Sequence, residues 1–137
     1  MILYDTEWVA ELARLSAADG VFQKKARGFD AVYQYVVKAP KDQPGGEPRA
    51  FWITFPECTQ FGMGKHDKPT YTMTTSYEVM HDVLTGKTNA VLALTMRKVF
   101  VAGDLMRLLR FTGAINRIVE LMQRIAAQAE GTLAAIG

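Results

Sequence analysis

Residues 71–110 read YTMTTSYEVMHDVLTGKTNAVLALTMRKVFVAGDLMRLLR. The first of these, with Thr70, form a run of β-branched and aromatic residues that suits a pleated, half-buried strand over 70–75. Thr75 and Glu78 have the Thr-x-x-Glu spacing of a capping box, in which each side chain satisfies an orphaned backbone N–H at a helix start. A helix is therefore predicted to run to Thr85, and Gly86 stands where a left-handed residue ends it. Asn89 caps a second, short helix over 90–96. Residues 98–102 read as another strand, and Gly103-Asp104 turns the chain, with Asp104 capping a long helical region that bends near Gly113.

Upstream, Trp8, Leu12 and Leu15 recur at i, i+4 and i+7, the spacing of one helix face over 6–16, with Asp5 or Thr6 as its cap. A second short helix covers 20–27 before Gly28. Residues 30–38, DAVYQYVVK, and 49–55, RAFWITF, are strand-like, and the turn-forming segment 39–48 joins them as a hairpin. The stretch 56–69 reads as a connection with a short extended piece at 59–63. Downstream, Phe111, Ile115, Ile118, Val119, Met122 and Ile125 form a continuous apolar helix face, while Arg110, Arg117 and Arg124, spaced by sevens, fall on the opposite side.

A chain of 137 residues, 49% hydrophobic and 22% charged, fits one globular domain over 1–137, and no repeat or linker marks a second. The net charge of +2 is too small for a phosphate-tracking surface, which excludes nucleic acid as the expected partner. Cys58 is alone, so neither an intramolecular disulfide nor a cysteine-based zinc site is expected. The first residues lack the basic and apolar regions of a signal peptide, and the last, Ala-Ala-Ile-Gly, are not a peroxisomal address. Segment 105–127 carries too many charges to span a bilayer, so the chain reads as cytoplasmic.

The order of pieces resembles the sterol carrier protein 2 family in its small stand-alone bacterial form. Ser76-Tyr77-Glu78-Val79-Met80 opens the capped helix and Leu84-Thr85-Gly86-Lys87 ends it; Asn89-Ala90 opens the next. Lys98 precedes the alternating Val99-Phe100-Val101, which closes on Gly103-Asp104-Leu105. The N-terminal helix and hairpin fit as well, so the resemblance covers essentially the whole chain. It implies an α/β fold of the α+β type: a mixed, mostly antiparallel five-stranded sheet with helices enclosing an apolar cavity. It also implies non-enzymatic binding, with transfer, of a fatty acid, acyl-CoA, phospholipid, sterol or isoprenoid, and no cofactor or metal. Two positions depart from the pattern: Arg97 stands where the family usually has glycine, and Phe100 where it often has a polar residue.

For a cavity wall, alternate strand positions supply Phe51, Ile53, Phe55 and Met73. The two shorter helices supply Val83, Leu84, Leu92 and Met96, and the last helical region Leu108, Phe111, Ile115 and Met122. Met63, Met73, Met80, Met96, Met106 and Met122 supply flexible apolar wall; such residues are also ordinary core, and a sheet apolar on both sides does not reveal which face meets a cavity. Arg107, Arg110, Arg117 and Arg124 suit an acidic head group or transient contact with an anionic membrane, or simply a solvated helix face. Trp52 and Phe100, read as exposed, suit a homodimer or an interaction module whose core is filled by its own side chains.

A catalytic alternative is a cysteine hydrolase built on Cys58, His66 and Asp67, since a thiol nucleophile needs a base and an orienting carboxylate. All three lie in one loop without an oxyanion-hole motif, so catalysis is not expected. His81 reads as a helix-surface residue. Gly62-Met-Gly64-Lys65 lacks the frame and following Ser or Thr of a phosphate loop.

Overall fold

The computed structural model describes residues 4–128. The terminal residues read above for targeting signals, 1–3 and 129–137, lie outside them. The elements follow in the order α1 (Thr6–Ala18), α2 (Gly20–Lys25), β1 (Ala31–Val37), β2 (Arg49–Phe55), β3 (Phe61–Met63), β4 (Tyr71–Thr75), α3 (Tyr77–Leu84), α4 (Ala90–Thr95), β5 (Val99–Ala102), α5 (Leu105–Leu109) and α6 (Thr112–Gln128). The five strands form one mixed sheet in the order β3-β2-β1-β4-β5. Only the central β1–β4 pair is parallel, placing Tyr33 beside Tyr71 and Tyr35 beside Met73.

Strand alternation gives the sheet two unlike faces. Tyr33, Tyr35, Phe51, Ile53, Tyr71 and Met73 share the inner face and are buried under the helices. The outer face carries Gln34, Trp52 and Thr72 at its centre. Trp52 is half-buried there rather than exposed: it lies opposite Gly62, whose hydrogen leaves room for the indole, since a Cβ there would stand 2.6 Å from Trp52 Cζ2. The His66 ring meets Trp52 edge-on at 4.7 Å, and the His66 N–H donates to Gln34 Oε1 at 2.6 Å. The chain's own 62–66 segment thus covers the part of this face for which another subunit was expected. Phe100 is exposed as read, at 70%.

The helix caps follow the sequence with one correction. Asp5, Asn89 and Asp104, read as caps, each accept a backbone N–H of the first turn they precede, and so does Asp19, which was not read as a cap for α2. For α3, however, the cap is Ser76, which accepts from Val79 N at 3.1 Å. Thr75 instead ends β4 and its hydroxyl donates to Lys98 O. The capping box was misplaced because adjacent Thr75 and Ser76 both offer a hydroxyl, and only sheet pairing decides which remains in the strand. The last helical region also divides at Arg110 and Phe111, ahead of the bend expected at Gly113.

Helices α3 and α4 end in the same way. In α3, Lys87 N donates to Asp82 O and Gly86 N to Val83 O, with Gly86 at φ +81°. In α4, Lys98 N donates to Ala93 O and Arg97 N to Leu94 O, with Arg97 at φ +58°. Both are Schellman motifs, which require a left-handed residue at this point. The family's glycine before the basic residue is thereby explained, and Arg97 meets the same requirement with a side chain that disfavours it.

Helix α6 is fixed across the fold by an ion pair. Arg117 reaches both carboxylate oxygens of Asp19 at 2.8 Å, with both side chains largely buried, and also pairs with Glu120 at 3.0 Å. Asp19 also caps α2 through Phe22 N. The guanidinium hydrogen-bonded to it holds this carboxyl down at about 2.

Candidate functional site: an apolar crevice between sheet and helices

Where the inner faces of β1 and β4 meet α3, α4 and α6, side chains converge that have almost no polar surface. Tyr33, Tyr35 and Met73 form the floor; Met80 and Val83 come from α3, Leu94 from α4, and Ile115, Val119 and Met122 from α6. The i, i+3 spacing of Met80 and Val83, and the i, i+4, i+7 spacing of Ile115, Val119 and Met122, place each group on one helix face. The crevice between them has a volume of about 40 Å³. That is close to one water's share of liquid, ~30 Å³, and far below the roughly 300 Å³ at which ligand pockets begin. The expected apolar cavity is therefore only a narrow apolar seam here, because large aromatic and thioether groups fill the space.

An open depression of about 410 Å³ adjoins it, edged by Gly86, Asn89, Asn116 and Gln123. Ala90 and Val119 belong to both spaces and so mark the mouth of the seam. Gln123 closes one side by donating to Val83 O at 2.9 Å, tying α6 to α3. Inside, burial pushes the Tyr33 phenol up to about 12 and that of Tyr35 well above its ordinary value, so both hydroxyls are neutral at physiological pH.

Of the residues read as cavity wall, Met73, Val83, Ile115 and Met122 meet at this seam. Leu84 and Leu108 are buried in the core outside it. Phe51, Ile53 and Phe55 share the floor's sheet face but lie in a packed aromatic cluster. The Phe51 ring is 5.1 Å from Tyr35 and 5.7 Å from Trp8, and that of Phe55 is 5.0 Å from Tyr33 and 5.2 Å from Phe22. Phe111 stacks on Phe29 at 4.4 Å. Leu92 and Met96 face outward instead, 52% and 56% exposed, because α4 turns Ala93 and Leu94 to the core. Sequence reasoning missed Tyr33, Tyr35, Thr75, Ala90, Leu94, Val99 and Val119. The tyrosines were legible as the same strand phase, and Val119 as part of the long apolar face of α6.

The polar candidates are used elsewhere. Cys58 is buried, its thiol donates to Pro56 O at 3.5 Å, and burial pushes it up to about 12, far from a thiolate. His66 Nδ1 accepts from Lys68 N, and its ring lies on Trp52. The thiol and the imidazole therefore have separate partners and do not form a nucleophile–base pair. Arg107 donates to Asp30 O at 3.2 Å and lies over the Phe29 ring, while Arg117 is held by Asp19. Two of the four arginines thus fasten the fold, leaving Arg110 and Arg124 as the solvated ones. Among the described residues no cluster of His, Cys, Asp or Glu is arranged to hold a metal, and no helix is long and apolar enough to cross a membrane.

Comparison with known proteins gives a coherent result. A family model described as the SCP-2 sterol transfer family matches residues 11–116. No curated protein matches in sequence. Among solved structures, a crystal structure of sterol carrier protein 2 is 15% identical, with a TM-score of 0.79 over 88% of this chain and 97% of that one. A conserved protein of Thermus thermophilus is 14% identical, with a TM-score of 0.80 over 91% and 90%. A sterol carrier protein 2-like protein of Aedes aegypti, solved in palmitated form, is 19% identical, with a TM-score of 0.54 over 79% and 93%. At these identities the structural likeness concerns the fold.

Proposed function

The chain belongs to the SCP-2 sterol transfer family, and from that premise we propose that it binds the apolar part of a lipid, without catalysis, in the seam between its sheet and α3, α4 and α6. The observation that carries the reading is the seam itself: a nearly all-apolar surface between three helices and the sheet, reached from a wider depression past Ala90 and Val119. Burying ~14 methylenes at ~0.8 kcal/mol each yields on the order of 10 kcal/mol. After several kcal/mol of ordering cost this leaves roughly micromolar affinity, so apolar burial is sufficient for a carrier. The ligand classes are those of the family reading: fatty acid, acyl-CoA, phospholipid, or a sterol or isoprenoid. The palmitated form of the Aedes aegypti protein favours an acyl chain.

A seam of about 40 Å³ must widen to admit such a chain. Helix α4 is the natural wall to move, being six residues long and lying at the mouth through Ala90. The same narrowness favours a second reading, an assembly module whose interior is filled by its own side chains. Titration with a fluorescent fatty-acid analogue separates the two. The carrier reading predicts saturable binding that Val119→Trp, at the half-buried mouth, weakens more than tenfold while circular dichroism is unchanged. Absence of binding by the folded wild type, or equal binding by the variant, removes the seam as the site.

A further inference from the structure

Helix α4 has a second side that the seam does not use. Leu92 and Met96, one turn apart and so on one face, are 52% and 56% exposed. Arg97 and Lys98, also exposed, follow directly. Between Asp82 and Asp104 the chain carries Lys87, Arg97 and Lys98 and no acidic residue. Among the described residues none of these three cations makes an ion pair. The Schellman turn holds Arg97 immediately after Met96 by two backbone hydrogen bonds, so the cations are fixed at the end of the apolar face. Phe100 is not part of this surface, since it shares the outer sheet phase with Thr74.

We propose that the outer face of α4 and its C-terminal turn dock on an anionic lipid bilayer, Leu92 and Met96 entering the headgroup boundary and Arg97 and Lys98 pairing with lipid phosphates. Apolar side chains flanked by unpaired cations match such a surface in both polarity and sign. A second protein chain would have to supply both an apolar groove and acidic groups. The inference rests on the lipid-binding reading for its purpose: Ala90 and Leu94 of the same short helix line the seam, so docking brings the mouth to the bilayer. The contact itself does not depend on the seam being filled.

The test is flotation of the full chain with vesicles of phosphatidylcholine alone or of phosphatidylcholine containing phosphatidylglycerol, at low salt. Binding is expected only to the anionic vesicles and is expected to fall as salt is raised. Arg97→Gly combined with Lys98→Gln should lower partitioning about 30-fold, equivalent to about 1 kcal/mol for each charge near such a surface. Glycine suits the left-handed position, so misfolding would not account for the loss. Leu92→Ser combined with Met96→Ser should lower partitioning comparably while leaving binding of the soluble fatty-acid analogue unchanged. Equal partitioning of wild type and both variants overturns the proposal, as does equal binding to uncharged vesicles. Concentration-dependent dimerisation abolished by the Leu92 and Met96 changes, without vesicle binding, overturns it in favour of a second copy. Docking by a protein that binds no analogue supports this surface and counts against the seam, so the two readings fail separately.

Discussion

Arg97→Gly is expected to make the protein more stable although it deletes a long side chain. Arg97 is at φ +58° and closes α4 through Arg97 N to Leu94 O at 3.1 Å and Lys98 N to Ala93 O at 2.9 Å. The left-handed conformation costs an L-residue about 1–2 kcal/mol. Glycine avoids that cost but adds roughly 0.5–1 kcal/mol of backbone entropy to be lost on folding. The difference leaves a net gain of roughly 0.5–1 kcal/mol, a rise in Tm of about 2–4 °C for a chain of this size. Arg97→Ala is the control, because it removes the same charge and keeps the Cβ. The mirror experiment is Gly86→Ala in the matching turn of α3, where φ is +81° and a Cβ would meet nothing within 4 Å, so only backbone strain is introduced. That change should cost about 1 kcal/mol. Urea unfolding of the variants gives the comparison. An Arg97→Gly protein no more stable than Arg97→Ala, or a neutral Gly86→Ala, would refute the left-handed assignment.

Two further outcomes follow from the buried polar groups. Asp19 has its folded pKa depressed to about 2 by Arg117. Its contribution is therefore fully present above the unfolded carboxyl value, ~3.9, and is lost as pH falls from there through about 2. Asp19→Asn, which keeps a cap for α2, should flatten the dependence of stability on pH across that window in acid titrations followed by circular dichroism; an unchanged slope would count against the pair. Cys58, buried with its thiol pushed up to about 12, should resist iodoacetamide at mildly alkaline pH until the chain unfolds. Cys58→Ala should leave lipid binding intact, and rapid native alkylation or loss of binding would reopen a role for the thiol.

The parts of the fold visible in the sequence are those set by local chemistry. Asp5, Asn89 and Asp104 each precede a helix they cap, Gly86 ends α3, and strands β1, β2, β4 and β5 lie where β-branched and aromatic residues gather. Features set by distant partners were not visible. The spacing by sevens of Arg110, Arg117 and Arg124 places them on one side of a helix, but nothing local indicates that Arg117 meets Asp19, 98 positions away. Trp52 looked exposed because its cover, Gly62 and His66, comes from a segment without periodicity. Helix α4 is apolar at nearly every position and too short for a period to emerge, so Leu92 and Met96 could not be told from Ala93 and Leu94. Phe51 and Phe55 were on the right sheet face, yet whether an aromatic lines a space or fills it depends on its neighbours in three dimensions.

The most direct test of lipid binding is native mass spectrometry of the protein purified without detergent, followed by lipid extraction alongside a mock-loaded control. A protein carrying a stoichiometric acyl or isoprenoid lipid, lost in the Val119→Trp variant, is the expected result. An empty protein that also refuses added fatty acids and phospholipids would contradict it.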